Sequence, residues 1–106
     1  MSADTPQPPY YAVIFTSEQT KELSGYSDMS DRMVALAKEQ AGFLGIESAR
    51  EEIGITVSYW RDLESIRKWK MNTEHLMAQN KGKADWYKNY KVRICLVERD
   101  YEFKNE

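Results

Sequence analysis

Three observations in the sequence predict an α+β domain built on an antiparallel sheet. Four segments rich in aromatic and β-branched residues are interleaved with two segments whose apolar residues recur at threes and fours. Their order, β-α-β-β-α-β, is the ferredoxin-like arrangement, in which a four-stranded antiparallel sheet carries both helices on one face. At 106 residues, with 42% hydrophobic and 30% charged, the chain suits one domain with a modest core, and no repeat or second domain is visible.

Met1 to Pro9 holds all three prolines among small polar residues, so it is expected to be a flexible lead-in. The domain proper is placed at 10–102, followed by a tail at 103–106. Tyr10 to Ser17 is apolar at nearly every position and reads as a strand buried on both faces. Glu18 to Gly25 is polar, ends in glycine and reads as a loop. Ser27 or Asp28 can cap a first helix that puts Met29, Met33, Leu36, Ala37 and Gln40 on one face. Gly42 stops it, because glycine takes the left-handed conformation just past a helix end.

Phe43 to Arg50 and Ile53 to Trp60 are adjacent strands joined around Glu51-Glu52, which predicts an antiparallel hairpin. Ile53, Ile55, Val57 and Tyr59 face one way, and Gly54, Thr56, Ser58 and Trp60 the other. Asp62 can cap the second helix, Glu64 suits its positive end, and Leu63, Ile66, Trp69, Thr73, Leu76 and Met77 form its apolar stripe. The pattern decays around Asn80 to Lys83, and Trp86, Tyr87 and Tyr90 form an aromatic cluster in a connection of unassigned structure. Lys91 to Glu98 is the last strand, with Val92, Ile94 and Leu96 on one face and Arg93, Cys95 and Val97 on the other.

With apolar residues in both registers of the first and last strands, the sheet face away from the helices also needs cover. A homodimer with the two sheets face to face is therefore expected, since a two-fold pair hides the same patch on both copies.

Net charge is −2, and basic residues are scattered among acidic ones, which argues against nucleic acid as a partner. The third strand, Glu52 to Tyr59, lacks the basic-Gly-aromatic run of the RNA-recognition modules that share this element order. No apolar run approaches the ~20 residues of a bilayer span, and no membrane association is expected. Neither a secretory leader nor a partner for the lone Cys95 is apparent, which points to a reduced, cytoplasmic setting.

One histidine and one cysteine on separate elements give no metal-ligand spacing, and the glycines at 42 and 45 open a strand without the Lys and Ser/Thr of a phosphate loop. His75 is the candidate general base, since imidazole titrates near neutral pH. On an unbroken helix its phase is roughly opposite the apolar stripe; a break near Asn72-Thr73 would turn it inward. Trp60, Trp69 and Thr56 are candidates for lining a substrate pocket, although a tryptophan at a strand end or on the next helix is commonly a core anchor.

Gln40-Ala41-Gly42-Phe43-Leu44-Gly45, then Ile55 to Trp60 and Asp62-Leu63-Glu64-Ser65-Ile66, resemble the antibiotic biosynthesis monooxygenase family over essentially Tyr10 to Tyr101. The resemblance implies a dimeric α+β barrel of two ferredoxin-like subunits, each with a hydrophobic pocket between sheet and helices. It implies oxidation of a small hydroxylated aromatic or quinol by molecular oxygen without a bound cofactor, with Trp60 at a pocket position. A heme-degrading branch offers a second precedent, in which Trp69 matches a helix tryptophan. That branch places an iron-binding histidine at the position of Gln79 and an asparagine in the first strand near Phe15 or Thr16, so heme is not expected, though not excluded. A non-catalytic small-ligand binder or stress-associated dimer is the competing expectation.

Overall fold

The computed structural model describes residues 3–21, 25–80 and 86–105, with the backbone alone for 76–80. Within them, β1 spans Tyr10–Gln19, α1 Tyr26–Glu39, β2 Phe43–Arg50, β3 Gly54–Trp60, α2 Leu63–Asn80 and β4 Tyr87–Val97. The strands form one antiparallel sheet in the order β2-β3-β1-β4, so the fold is α+β and ferredoxin-like. Part of the expected loop, 22–24, and the end of the expected decay, 81–83, lie outside the described residues, as do the side chains of Leu76 and Met77.

Alternation along the strands sorts the sheet into rows. Facing the helices are Tyr11, Trp60 and Leu96; then Val13, Ser58, Ile94 and Ile46; then Phe15, Thr56, Val92 and Ser48; and last Ser17, Gly54, Tyr90 and Arg50. α1 approaches β2 and α2 approaches β3, burying Met29, Ala37 and Ile66. β4 lies at the far edge and is less well covered: Val92, Ile94 and Leu96 are each about half exposed.

Several boundaries differ from the sequence reading. α1 begins at Tyr26 rather than after Ser27 or Asp28, because Gly25, at φ 79°, takes the cap position and no side chain caps the helix. β4 begins at Tyr87, so Tyr87 and Tyr90 belong to a strand that pairs with β1 as far as Gln19. Leu63 of the expected stripe is 54% exposed, since the first turn of α2 lies at the margin of the sheet. Asp62 does cap α2, accepting the Ser65 N–H at 2.8 Å.

Gly42 adopts φ 85° between α1 and β2, and any side chain there would run into Ser65 on the first turn of α2. Its carbonyl accepts the Arg61 N–H at 2.8 Å, tying the start of β2 to the start of α2.

The opposite sheet face presents Ile14, Ile55, Val57, Cys95 and Val97, with no helix over it. Residues 3–9 lie along the β2 and β3 side of that face. The Ala3 N–H donates to Glu47 at 2.8 Å, Glu47 also accepts the Tyr59 hydroxyl at 2.5 Å, and Thr5 donates to the Tyr10 hydroxyl at 2.9 Å.

Candidate functional site

A cleft of about 1010 Å³ opens between the helix side of the sheet and the two helices. Its floor is the middle two sheet rows, so Val13, Phe15, Thr56 and Ser58 lie under it, and Met29, Met33 and Ala37 of α1 face Ile66, Trp69 and Thr73 of α2 across it. Buried Met29, Ala37 and Ile66 make the interior apolar, while half-exposed Val92 and Ile94 leave the β4 side open to solvent. The Trp60 and Gly54 rows that flank this floor lie roughly 20 Å apart, at about 3.3 Å per residue.

Each end is aromatic. At one end Trp60, fully buried, stacks on Trp69 with ring centroids 5.6 Å apart and meets Phe43 edge to face at 5.5 Å. At the other, Phe15 stacks on Tyr90 at 5.2 Å and meets Tyr87 edge to face at 5.6 Å, while Tyr26 packs against both Trp86 and Tyr87.

The four residues singled out from the sequence fall in different places. Trp69 and Thr56 line the cleft. Trp60 does not; it lies behind Trp69, and its indole N–H already donates to Ser58 Oγ at 2.9 Å. His75 is exposed and outside the lining, because α2 runs unbroken from Leu63 to Asn80 and keeps the outward phase. Its neighbours Thr73 and Glu74 do reach the cleft.

Two groups that sequence reasoning missed complete the site. Burial, a hydrogen bond with Tyr26 and the negative charge Tyr26 would carry hold the Tyr87 phenol well above its ordinary pKa, with Arg50 acting weakly in the opposite sense. Tyr87 is therefore a neutral hydrogen-bonding group at physiological pH rather than a base. Arg50 lies in the last row, where its Nη2 donates to the buried Ser17 hydroxyl at 2.6 Å. The guanidinium passes over Gly54, in space that any side chain at 54 would take. The clue in the sequence was a glycine inside a strand, which often marks close approach of another group.

No histidine or cysteine lies among the described residues of the lining, and of the two first-strand residues in the region of the heme-degrading branch's asparagine, Phe15 brings an apolar ring to the cleft while Thr16 lies outside its lining. These residues do not fit a heme iron held by histidine; the Gln79 side chain lies outside the described residues. Among the described residues no three His, Cys, Asp or Glu side chains gather as a metal site.

The chain is 49% identical over 102 residues to the uncharacterized protein YqjZ of Bacillus subtilis (strain 168), covering 94% of this chain and 90% of that protein. Among solved structures, it is similar to SnoaB, a cofactor-independent oxygenase from Streptomyces nogalater, with a TM-score of 0.65, 11% identity and coverage of 92% of this chain and 100% of that one. A dimeric ferredoxin-like protein from an uncultured marine organism superposes with a TM-score of 0.67 at 14% identity, covering 89% of this chain and 100% of that one. At these identities the structures establish the fold alone. The family model for monooxygenase af470-like proteins matches residues 13–95, which takes in the cleft floor, both helices and most of β4. The chain belongs to the monooxygenase af470-like family, of the antibiotic biosynthesis monooxygenase type.

Proposed function

We propose that the protein is a cofactor-independent monooxygenase that oxidises a small hydroxylated aromatic or quinol-type substrate in the cleft between sheet and helices. The observation that carries this reading is the cleft itself: an apolar trough with aromatic groups at both ends and the Thr56 and Ser58 hydroxyls on its floor. Such a site holds a flat ring system, orients it by a few polar contacts and keeps most water from the reacting carbon. The substrate supplies the electrons through its ionised phenol. One atom of molecular oxygen becomes a ring carbonyl, and the other leaves as water with the two hydrogens given up by the ring and its hydroxyl.

Within one protomer we assign Trp69 and Thr56 to substrate contact and Trp60 to support of Trp69. His75 stands outside the cleft, so proton transfer falls to the substrate's own acidity or to Glu74 at the rim. The similarity to a dimeric ferredoxin-like protein and the apolar outer sheet face support a homodimer. The unpaired Cys95 supports a reduced, cytoplasmic setting. No helix of the described residues is long and apolar enough to cross a membrane.

Oxygen uptake with a panel of dihydroquinones tests the reading. Turnover by the native protein and its loss in Trp69→Ala are expected; no uptake across the panel overturns it. A second reading, a non-catalytic binder using the same cleft, is favoured by one observation: Tyr87 keeps its proton and the neutral-range base His75 lies outside. It predicts saturable binding of the same compounds without product.

A further inference from the structure

We infer that the cleft selects an aromatic ligand bearing a carboxylate, which pairs with Arg50 at the tyrosine-rich end while the ring lies over Thr56 and Ser58. This names the substrate class of the site proposed above and rests on that reading only for the location of the ring. It does not depend on turnover.

The placement of Arg50 is built across three strands. Arg50, Gly54 and Ser17 are register partners in one row on the cleft side, so the arginine of β2 reaches Ser17 of β1 by crossing directly over β3. Only glycine at 54 leaves that path clear. Ser17 is 2% exposed and accepts one N–H of the guanidinium at 2.6 Å, which fixes the plane of a group whose other donors stay available. A tethered, planar fork of this kind matches a carboxylate.

The other cations of the lining are already engaged. Arg67 pairs with Glu64 at 2.5 Å, and Lys70 lies 3.9 Å from Glu74, each pair within α2. Among the described residues no carboxylate forms an ion pair with Arg50. Its cleft neighbour Tyr87 stays neutral and does not balance the charge. The floor beside it, Phe15 and Thr56, is one row away, roughly 7 Å along the strands, which is the length of a fused two-ring system. An aromatic acid of that size, with its ring over the Thr56 row and its edge toward Ser58, brings its carboxylate to Arg50. Because Arg50 is exposed, the pairing acts through solvent-screened charge and gives a moderate preference.

Isothermal titration calorimetry of the full chain with 2-naphthoate and its neutral isostere 2-naphthamide tests the inference. The native protein is expected to bind naphthoate about tenfold more tightly than naphthamide. Arg50→Gln removes the charge, and Gly54→Ala keeps the arginine but pushes its flexible end off Ser17. Both variants are expected to lose most of the preference, chiefly through weaker naphthoate binding, and circular dichroism reports that they are folded. Equal affinity for the two compounds in the native protein, or a preference retained in both variants, overturns the inference and leaves the cleft reading standing. Binding of neither compound overturns both.

Discussion

Trp69 stacks on Trp60 with ring planes 30° apart, so the indole that faces the cleft is held by one that never reaches it. Trp60 is locked in turn by its N–H to Ser58 Oγ, itself 6% exposed. Replacing the inner ring should therefore cost stability, and replacing the outer one should cost binding. Trp60→Phe is expected to lower unfolding free energy by about 1–3 kcal/mol, from lost volume and a buried hydroxyl deprived of its donor. Trp69→Ala is expected to weaken aromatic ligands with a smaller loss of stability. Urea unfolding and ligand titration of the two variants separate these effects.

His75→Ala is expected to leave oxygen uptake within about twofold of native, because a side chain outside the cleft transfers no proton within it. A drop of a hundredfold at neutral pH would return the histidine to the mechanism.

Alkali should act through the half-buried phenols. Burial raises the pKa of both Tyr59 and Tyr87 above the ordinary 10.0, reinforced by hydrogen bonds to Glu47 and Tyr26 respectively. For an acid whose folded pKa is raised, the stabilising contribution is complete below the unfolded value and is lost as pH climbs from there through the folded value. Stability is thus expected to hold up to about pH 10 and fall above it. Tyrosinate absorbance followed beside circular dichroism checks this: part of the tyrosine signal should appear only as the chain unfolds.

Val57→Glu places a carboxylate on the outer sheet face between β1 and β2, opposite Ile14 and Glu47. The expected outcome is a shift from dimer to monomer in size-exclusion chromatography with light scattering, with little change in the helix signal. A native protein that elutes as a monomer would remove the dimer from the proposal.

Glycine to alanine should have unequal effects at two sites. At Gly42 the new methyl meets the backbone-anchored Ser65 side chain, and the residue must hold φ 85°, so a loss of about 1–3 kcal/mol is expected. At Gly54 the obstacle is the far end of a flexible arginine, which swings aside at small cost. Thermal melts of the two variants give the comparison directly.

Element order was legible because it depends on local pattern: Ile55-Thr56-Val57-Ser58 alternates cleanly, Asp62 announces α2, and Gly42 marks the turn into β2, although α1 itself already stops at Glu39 with Gln40 as an extended C-cap. The limits of α1 and β4 were not. Gly25 caps by conformation rather than by a side chain, and Tyr87 and Tyr90 join a strand only because β1 continues opposite them to Gln19. Helical phase placed His75 outward as long as α2 was unbroken, and that continuity depends on packing the sequence does not display. Arg50 was hidden for a different reason. Its environment is made by Gly54 and Ser17, which register brings together from separate strands, and no spacing along the chain encodes that row. The partner of the Trp60 indole, by contrast, lay two residues upstream on the same face and was within reach of simple strand alternation.

The lead-in bears on how two copies can meet. With Ala3 pinned to Glu47 and packed against Gly45, the β2 and β3 margin of the outer face is already occupied by the chain's own start. The end of the face away from Ala3 stays open instead, where Ile55 of β3 is 44% exposed beside half-buried Ile14 and Val57. Two sheets docking there would meet about a two-fold axis set toward the Ile55 end rather than over the sheet centre, and removing residues 1–9 would free the axis to move.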